Sequence, residues 1–132
     1  MNPYETLLNN DNYAVIGVSP NRDKYAYKIY TLLKNKGKNT FGVHPTIEKV
    51  DEDAVFPTLE SIPTHVDIAV FVVKPQIGLT YLPLVAEKGI KTIWLQPGTI
   101  STELVEKAQE LGMTVIEDCV LAQYARNEGT SH

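Results

Sequence analysis

The stretch that most constrains the fold is residues 13–23, which read Tyr-Ala-Val-Ile-Gly-Val-Ser-Pro-Asn-Arg-Asp. An apolar, β-prone run stops at Gly17, a short polar loop follows, and helical spacing of apolar residues begins near Tyr25. Backbone amides at a helix N-terminus have no intrahelical partners, and the helix dipole adds a partial positive charge there. A strand, a tight loop and a helix N-terminus in this order therefore predict an anion-binding loop, in which Gly17 allows a close approach.

This loop departs from the glycine fingerprint of dinucleotide-binding folds. Val18, Ser19 and Asn21 stand where further glycines would be expected. The Ser19 hydroxyl, Arg22 and Lys24 instead offer polar and positively charged groups to a phosphate. The alternative interpretation of these residues is a plain strand-to-helix turn with solvated charges.

Apolar runs alternate with helical patterns along the whole chain. Strands are predicted at residues 13–18, 39–43, 67–73, 91–95 and 114–116. Helices are predicted among residues 1–12, where Pro3 suits a first turn, then from Tyr25 to Gly37, from Leu82 to Gly89, after the N-cap Ser101, and around Val120. Strands that alternate with helices indicate a Rossmann-like, doubly wound α/β fold, with a mainly parallel five-stranded sheet and helices on both faces.

Helix-breaking and polar residues decide how two further segments are interpreted. Pro83 would interrupt a helix that ran directly from the third strand, so a turn is predicted first and the helix begins only near Leu82. Residues 46–53 read as a polar, acidic connection, and a short helical turn is expected at 58–62.

Composition limits the class of protein. A chain of 132 residues is one domain with room for a core, and its formal net charge of −4 argues against a general nucleic-acid binder. The single cysteine, Cys119, permits no intramolecular disulfide, and no apolar stretch is long enough to cross a membrane. We expect a cytoplasmic protein that binds neither nucleic acid nor membranes.

Strand ends converge on one edge of such a sheet, where ligands bind near the point at which strand order reverses. His44 stands at the end of the second strand, where NAD-binding folds carry a carboxylate for the ribose hydroxyls. A histidine there tolerates a ribose phosphate better than a diol, and Lys74 adds a cation. The alternative is that His44 is only a strand-end residue held by Pro45. The converging segments are residues 17–23, His44-Pro45, Lys74-Pro75 and Gln96-Pro97-Gly98.

Catalytic and metal-binding groups are sparse. No Ser-His-Asp set can be identified, and His44, His65 and His132 lack the spacing of metal ligands. We therefore predict no catalytic residues and no metal site.

Several motifs together carry a family resemblance. They are Ala-Val-Ile-Gly-Val-Ser-Pro-Asn-Arg at 14–22, Gly-Val-His-Pro at 42–45, Val-Phe-Pro-Thr-Leu at 55–59 with Ile62-Pro63, Val-Asp-Ile at 66–68, Lys-Thr-Ile-Trp-Leu-Gln-Pro-Gly at 91–98 and Glu-Asp-Cys at 117–119. In this order the chain resembles the single-domain CoA-binding proteins, and through them the N-terminal CoA-binding domain of the succinyl-CoA synthetase alpha subunit. The resemblance runs from residue 13 to 127, which leaves 1–12 as an N-terminal extension and 128–132 as a frayed tail.

The resemblance implies a domain that binds coenzyme A through its ADP part. The phosphates would meet the loop after the first strand, the adenosine would lie between the ends of the second and third strands, and the fourth strand end would line the floor toward the pantetheine arm. The residues so implied are Gly17, Val18, Ser19, Pro20, Arg22, Lys24, Tyr25, His44, Pro45, Val73, Lys74, Pro75, Gln96, Pro97 and Gly98.

Three positions differ from the family or carry a second interpretation. The family usually has Asn before Pro45, where this chain has His44, and a more polar run where this chain has Val120 and the residues after it. Cys119 matches a family cysteine. It could form a mixed disulfide with the CoA thiol, or it could be a small buried hydrophobe.

The function implied is a binding or regulatory module for CoA or an acyl-CoA. The resemblance supplies a ligand and no reaction, so it favours a binding protein over an enzyme. The alternative is an NADP-dependent oxidoreductase, or its nucleotide-binding subunit, which would need a partner to supply acid–base groups. A homodimer or an unidentified protein partner is left open.

Overall fold

The protein is built around a parallel sheet with its helices arranged on both sides, as seen in a computed structural model that describes residues 2–128. The helices are α1 (Pro3–Asn9), α2 (Tyr25–Asn35), α3 (Pro75–Glu87), α4 (Thr102–Glu110) and α5 (Val120–Glu128). The strands are β1 (Asn12–Ile16), β2 (Asn39–Val43), β3 (Lys49–Val50), β4 (Asp53–Ala54), β5 (Ile68–Phe71), β6 (Thr92–Leu95) and β7 (Thr114–Glu117).

The main sheet has the strand order β2-β1-β5-β6-β7, and all its pairs are parallel. The chain leaves β1 in one direction, to β2, and later returns to the other side of β1 as β5. Strand order therefore reverses between β1 and β5, which is where a doubly wound sheet opens a crevice at its carboxyl edge. The Rossmann-like fold predicted from the sequence is confirmed.

Two apolar layers cover the two faces of the sheet. Successive side chains of a strand point to opposite faces, so Tyr13 and Val15 pack on one side and Ala14 and Ile16 on the other. Helices α1, α2 and α5 supply buried residues to the first layer, and α3 and α4 to the second. Burial on both faces explains why β1 and β5 are continuous apolar runs.

The prediction for α3 is wrong in its start. The helix begins at Pro75, which occupies the first turn, and runs through Pro83 to Glu87. Pro83 lies exposed, while Leu82 and Val85 beside it are fully buried. A proline inside a helix costs about 3 kcal/mol, and burial of the neighbouring apolar side chains against the sheet offsets that cost.

The connection between β2 and β5 contains a small hairpin that the sequence did not predict. β3 and β4 pair antiparallel, with Asp51 at the turn in a left-handed conformation (φ 53°). Tyr27 Oη donates to Asp51 Oδ2 over 2.8 Å, and Tyr30 Oη and Lys34 Nζ both donate to Asp53. The polar residues of this segment thus fasten the hairpin to α2.

The helices α1 and α5 contact each other, and α5 also packs against α2. α1 starts with a capping box formed by Asn2 and Glu5, and its Leu7 is fully buried. Glu128, counted with the tail from the sequence, is the last residue of α5 and accepts hydrogen bonds from Tyr4 and Lys36. The expected fraying of residues 129–132 lies outside the described residues. No helix within residues 2–128 has the length and apolar character needed to span a membrane.

Candidate ligand-binding groove

Two adjoining clefts form one groove at the carboxyl edge of the sheet, over the point where strand order reverses. Their volumes are about 380 and 280 Å³, and they share Gly17, His44 and Val72. The larger cleft is more polar and is also lined by Val18, Ser19, Lys24, Tyr25, Ala26 and Ile47. The smaller cleft is more apolar and is also lined by Pro45, Val73, Ile77 and Tyr81.

Gly17 forms the floor where the two clefts meet. Its φ of +92° lies in the left-handed region, and its N–H donates to Val43 O over 2.9 Å. A Cβ at this position would lie 2.5 Å from both Val72 O and Val73 Cγ1. Both the backbone conformation and the lack of space therefore require glycine here.

The loop from Val18 to Lys24 is held by its own side chains. Asn21 N–H donates to Ser19 Oγ over 3.1 Å, and Asp23 N–H donates to Asn21 Oδ1 over 3.0 Å. Val18, expected as the end of the strand, is buried in the loop against Gly42, whose missing side chain makes room for it. Since Ser19 Oγ accepts from Asn21, its hydroxyl hydrogen is left to donate into the cleft.

The two helices that begin at the groove differ from two that begin elsewhere. α2 and α3 have Lys24 and Lys74 at their N-caps, and neither start has a side-chain cap hydrogen bond. By contrast, Asn2 caps α1, and Ser101 caps α4 by accepting from Leu104 N–H over 3.1 Å. The uncapped amides of α2 beside Lys24 give the polar cleft a positive character.

Of the three cations predicted for the site, only Lys24 lines the groove. Arg22 has a side chain that is 80% exposed, lies 3.9 Å from Asp51 Oδ1 and stands over the Tyr27 ring at 6.0 Å. Lys74 precedes α3 and is exposed, and it lines neither cleft. Lys24 is therefore the cation best placed for a phosphate in the polar cleft.

His44 sits between the two clefts with a defined ring orientation. Its Nδ1 accepts hydrogen bonds from the backbone N–H groups of Thr46 and Ile47, each over 3.1 Å. These bonds also fix the start of the segment that carries Ile47 along the wall of the polar cleft.

The residues that follow β6, the fourth strand predicted from the sequence, were expected in the groove but lie outside it. Gln96 is 3% exposed, and its Oε1 accepts from Trp94 Nε1 over 3.1 Å and from Val120 N–H over 2.8 Å. Its side chain thus joins β6 to the start of α5 and is not presented to a ligand. Pro97 and Gly98 are exposed in the following loop and line neither cleft.

Thr99 is a positioning residue that sequence reasoning missed. It is buried, and its Oγ1 lies within 3.1 Å of Phe71 O, 2.6 Å of Val73 O and 3.3 Å of Val73 N. The loop after β6 is thereby tied to the end of β5, where Val73 lines the apolar cleft. A threonine two residues after a proline gave no sequence signal for this role.

Other lining residues were missed, and some implied ones lie elsewhere. Ile77 and Tyr81 line the apolar cleft one turn apart on α3. The sequence did not show this spacing because Pro83 led to a predicted helix start near Leu82, after both residues. Burial raises the pKa of the Tyr81 hydroxyl. Pro20, Pro75 and Cys119 line neither cleft, so the mixed disulfide proposed for Cys119 is without support from its position.

Comparison with known proteins assigns this chain to a family. The CoA binding domain family matches residues 11–125, nearly the whole of the described chain. The chain belongs to the CoA-binding domain family.

Relatives of this CoA-binding domain include both small proteins and parts of larger ones. An uncharacterized protein of Bacillus subtilis, YneT, is 29% identical over 127 residues, covering 92% of this chain and 90% of that protein. The alpha subunit of ADP-forming acetate–CoA ligase II from Pyrococcus furiosus is 31% identical over 126 residues, covering 86% of this chain and 28% of the subunit. The chain thus spans little more than a quarter of the ligase subunit that it matches.

A solved structure supports the fold assignment. A hypothetical protein from Pyrococcus horikoshii OT3 superposes with a TM-score of 0.87 at 27% identity, covering 92% of this chain and 87% of that chain.

Among residues 2–128, no three His, Cys, Asp or Glu side chains are grouped as ligands for a metal ion.

The β3–β4 hairpin of this CoA-binding domain should lose its anchor in acid. The hydrogen bond from Lys34 holds the pKa of Asp53 below its ordinary value of 3.8, with a further contribution from Tyr30 Oη, while burial opposes the shift. A carboxyl whose pKa is lower in the folded state stabilises the fold above its unfolded pKa and loses that contribution as pH falls. We expect Asp53→Asn to lower the free energy of unfolding near neutral pH by less than about 1 kcal/mol, because the pair is more than a third exposed.

Urea unfolding at several pH values tests this expectation. The difference between the wild type and Asp53→Asn should shrink from about pH 5 to about pH 2. Glu52→Gln, in the same hairpin turn and without a hydrogen bond or ion pair from the described residues, should show no such trend. A difference that is constant with pH would show that the carboxylate does not anchor the hairpin.

Proposed function

We propose that this protein binds coenzyme A or an acyl-CoA through the ADP part, in the groove between β1 and β5, as a binding or regulatory module. The observation that carries the proposal is the glycine floor at the reversal of strand order, in a chain that belongs to the CoA-binding domain family. The family membership supports the ligand class, and the groove supports its location.

The polar cleft suits the diphosphate. Gly17 lets a phosphate oxygen approach the backbone closely, and the uncapped amides at the start of α2 are donors that an anion can satisfy. The Ser19 hydroxyl and the Lys24 ammonium lie on the same wall. Three kinds of donor therefore converge where a diphosphate would carry its negative charge.

The apolar cleft suits the adenine. Pro45, Val73 and Ile77 present aliphatic surface to the cleft. The Ile77 side chain is 47% exposed, so a ligand can cover it. A flat, largely apolar base gains free energy by covering such surface. A cleft of about 280 Å³ beside the polar one matches a ligand with a base at one end and phosphates next to it.

A binding role fits the residues of the groove better than catalysis does. Its lining consists of aliphatic and aromatic residues, one serine, one lysine and one histidine whose Nδ1 is occupied by backbone donors. Among residues 2–128, no carboxylate lines either cleft. The named ligase relative is a much longer protein, so its reaction would need parts beyond the stretch that this chain matches.

Calorimetric titration with CoA, acetyl-CoA, NAD and NADP tests the proposal. We expect Lys24→Gln to weaken CoA binding about tenfold, the usual loss for one charge-assisted hydrogen bond to phosphate. Arg22→Gln should weaken it less, because Arg22 lies against Asp51 and outside the cleft lining. Lys91→Gln, which makes the same charge change at the opposite edge of the sheet, is the matched control and should bind as the wild type does.

Two outcomes would overturn the proposal. Binding of NADP but not of CoA would favour the oxidoreductase interpretation. Equal losses for Lys24→Gln and Lys91→Gln would show that net charge, and not the groove, determines affinity.

A further inference from the structure

The side chain of His44 is fixed in one tautomer by the backbone around it. A ring nitrogen that accepts hydrogen bonds from two N–H groups carries no hydrogen, and Nδ1 of His44 accepts from Thr46 and Ile47, each over 3.1 Å. The neutral ring must then carry its hydrogen on Nε2. His44 is thus a hydrogen-bond donor at Nε2 and has no acceptor to offer a ligand.

The same bonds set the direction of that donor. The two nitrogens of an imidazole point away from each other, so a ring whose Nδ1 faces the turn at residues 46–47 directs Nε2 away from that turn. His44 is half-buried and lines both the polar and the apolar cleft. Within residues 2–128, Nε2 of His44 has no hydrogen-bond partner.

From this geometry we propose that His44 is a specificity-determining residue, whose Nε2–H donates to a phosphate on the ribose of the bound nucleotide. The inference rests on the proposed function, since CoA carries a 3′-phosphate on its adenosine. A phosphate oxygen accepts a charge-assisted hydrogen bond from Nε2–H, which is about twice as strong as the bond that a neutral ribose hydroxyl can accept. His44 therefore selects CoA over 3′-dephospho-CoA.

Asparagine at this position separates the two tasks of the side chain. An asparagine carboxamide oxygen can accept the same two backbone N–H groups, as in an Asx-turn, and so can replace Nδ1. Its one side-chain nitrogen, Nδ2, is bonded directly to Cγ and so ends one bond short of the place that Nε2 occupies in histidine. His44→Asn should therefore keep the turn and lose only the donor, whereas His44→Ala should lose both.

Titrations of the full chain with CoA and 3′-dephospho-CoA test the proposal. For His44→Asn we expect CoA affinity to fall about tenfold and dephospho-CoA affinity to change less than about twofold, the loss expected for one hydrogen bond to a charged group. His44→Ala should lose the same preference and should also unfold at lower urea concentration. Thr46→Ala removes a hydroxyl that lies 3.4 Å from His44 Nδ1 but keeps both backbone donors to that nitrogen, so this variant should keep the preference for CoA.

The free protein gives a second readout that needs no ligand. Nitrogen-15 NMR of the imidazole should show an unprotonated Nδ1 and a protonated Nε2 for His44. The opposite tautomer would overturn the assignment.

The ligand experiments separate this assignment from the proposed function. If the wild type binds neither CoA nor dephospho-CoA, both fail. If it binds CoA but His44→Asn weakens the two ligands equally, or weakens neither, the proposed function stands and the role of His44 is refuted.

Discussion

Replacing Gly17 with alanine is expected to destabilise the protein by about 3 kcal/mol, through strain from the left-handed conformation and overpacking of a closed space. The added Cβ would lie 2.5 Å from Val72 O and from Val73 Cγ1, at a φ of +92°. Relief of the contact would push β1 and β5 apart at the floor of the groove. CoA binding should therefore be lost even in the fraction of the protein that folds.

A matched control separates the contact from the backbone strain. Gly112 has a φ of +81°, and a Cβ there would meet nothing within 4 Å. Gly112→Ala should cost only about 1 kcal/mol, and it should leave CoA binding unchanged. Urea unfolding and calorimetry on both variants check the comparison, and equal destabilisation by the two substitutions would refute the role assigned to close packing at Gly17.

Replacing Gln96 with alanine should reduce stability and leave CoA affinity unchanged. The substitution removes the acceptor of Val120 N–H, which is buried at the start of α5, while Trp94 Nε1 keeps its second acceptor, Asp118 O, at 2.7 Å. A buried donor left without a partner costs about 1–3 kcal/mol, so we expect a loss of about 2 kcal/mol in the free energy of unfolding.

The outcome at Gln96 decides between two roles for this residue. Gln109→Ala, at an exposed position on α4, removes the same side chain without a buried partner and should not destabilise the protein. If Gln96→Ala instead weakened CoA binding while its stability matched that of the wild type, the sequence-based placement of Gln96 in the ligand site would be right.

The central strands of the parallel sheet were predictable because they are buried on both faces. β1 and β5 therefore read as short, continuous apolar runs, and the partly exposed edge strand β2 coincides with the predicted residues 39–43. The run at 67–73 was predicted too long, because Val72 and Val73 leave the ladder at the end of β5 to line the groove. Apolar character marks burial, and burial continues past the point where strand pairing stops.

Tertiary contacts decided the elements that were missed. Pro83 has a local preference against helix interiors, but the burial of Leu82 and Val85 on either side of it prevails. The β3–β4 hairpin has two residues in each strand, and it depends on Asp51 and Asp53 accepting hydrogen bonds from α2, which is distant in sequence. No local pattern of apolar residues encodes such contacts.

The site was predictable where backbone geometry defines it. Gly17, Ser19 and Lys24 follow the first strand in a fixed order, and the structure brings them together in one cleft. The sequence predicts Gln96 in the site, whereas the structure buries it between β6 and α5. A polar residue at a strand end looks the same in sequence whether it faces a ligand or joins two buried elements. Thr99 is neither charged nor part of an apolar repeat, so the sequence contained no indication that it ties the loop after β6 to the end of β5.

The central claim is that the ADP part of CoA binds over the reversal of strand order, and NMR mapping of backbone amides during a CoA titration tests it most directly. We expect the amides of Gly17, Ser19 and Lys24 to shift, and adenosine 3′-phosphate 5′-diphosphate to shift the same set. A separate cleft of about 350 Å³ lies at the far end of α3, lined by residues that include Leu59, Leu84 and Lys88. Shifts confined to that cleft, or no shifts at all, would contradict the account.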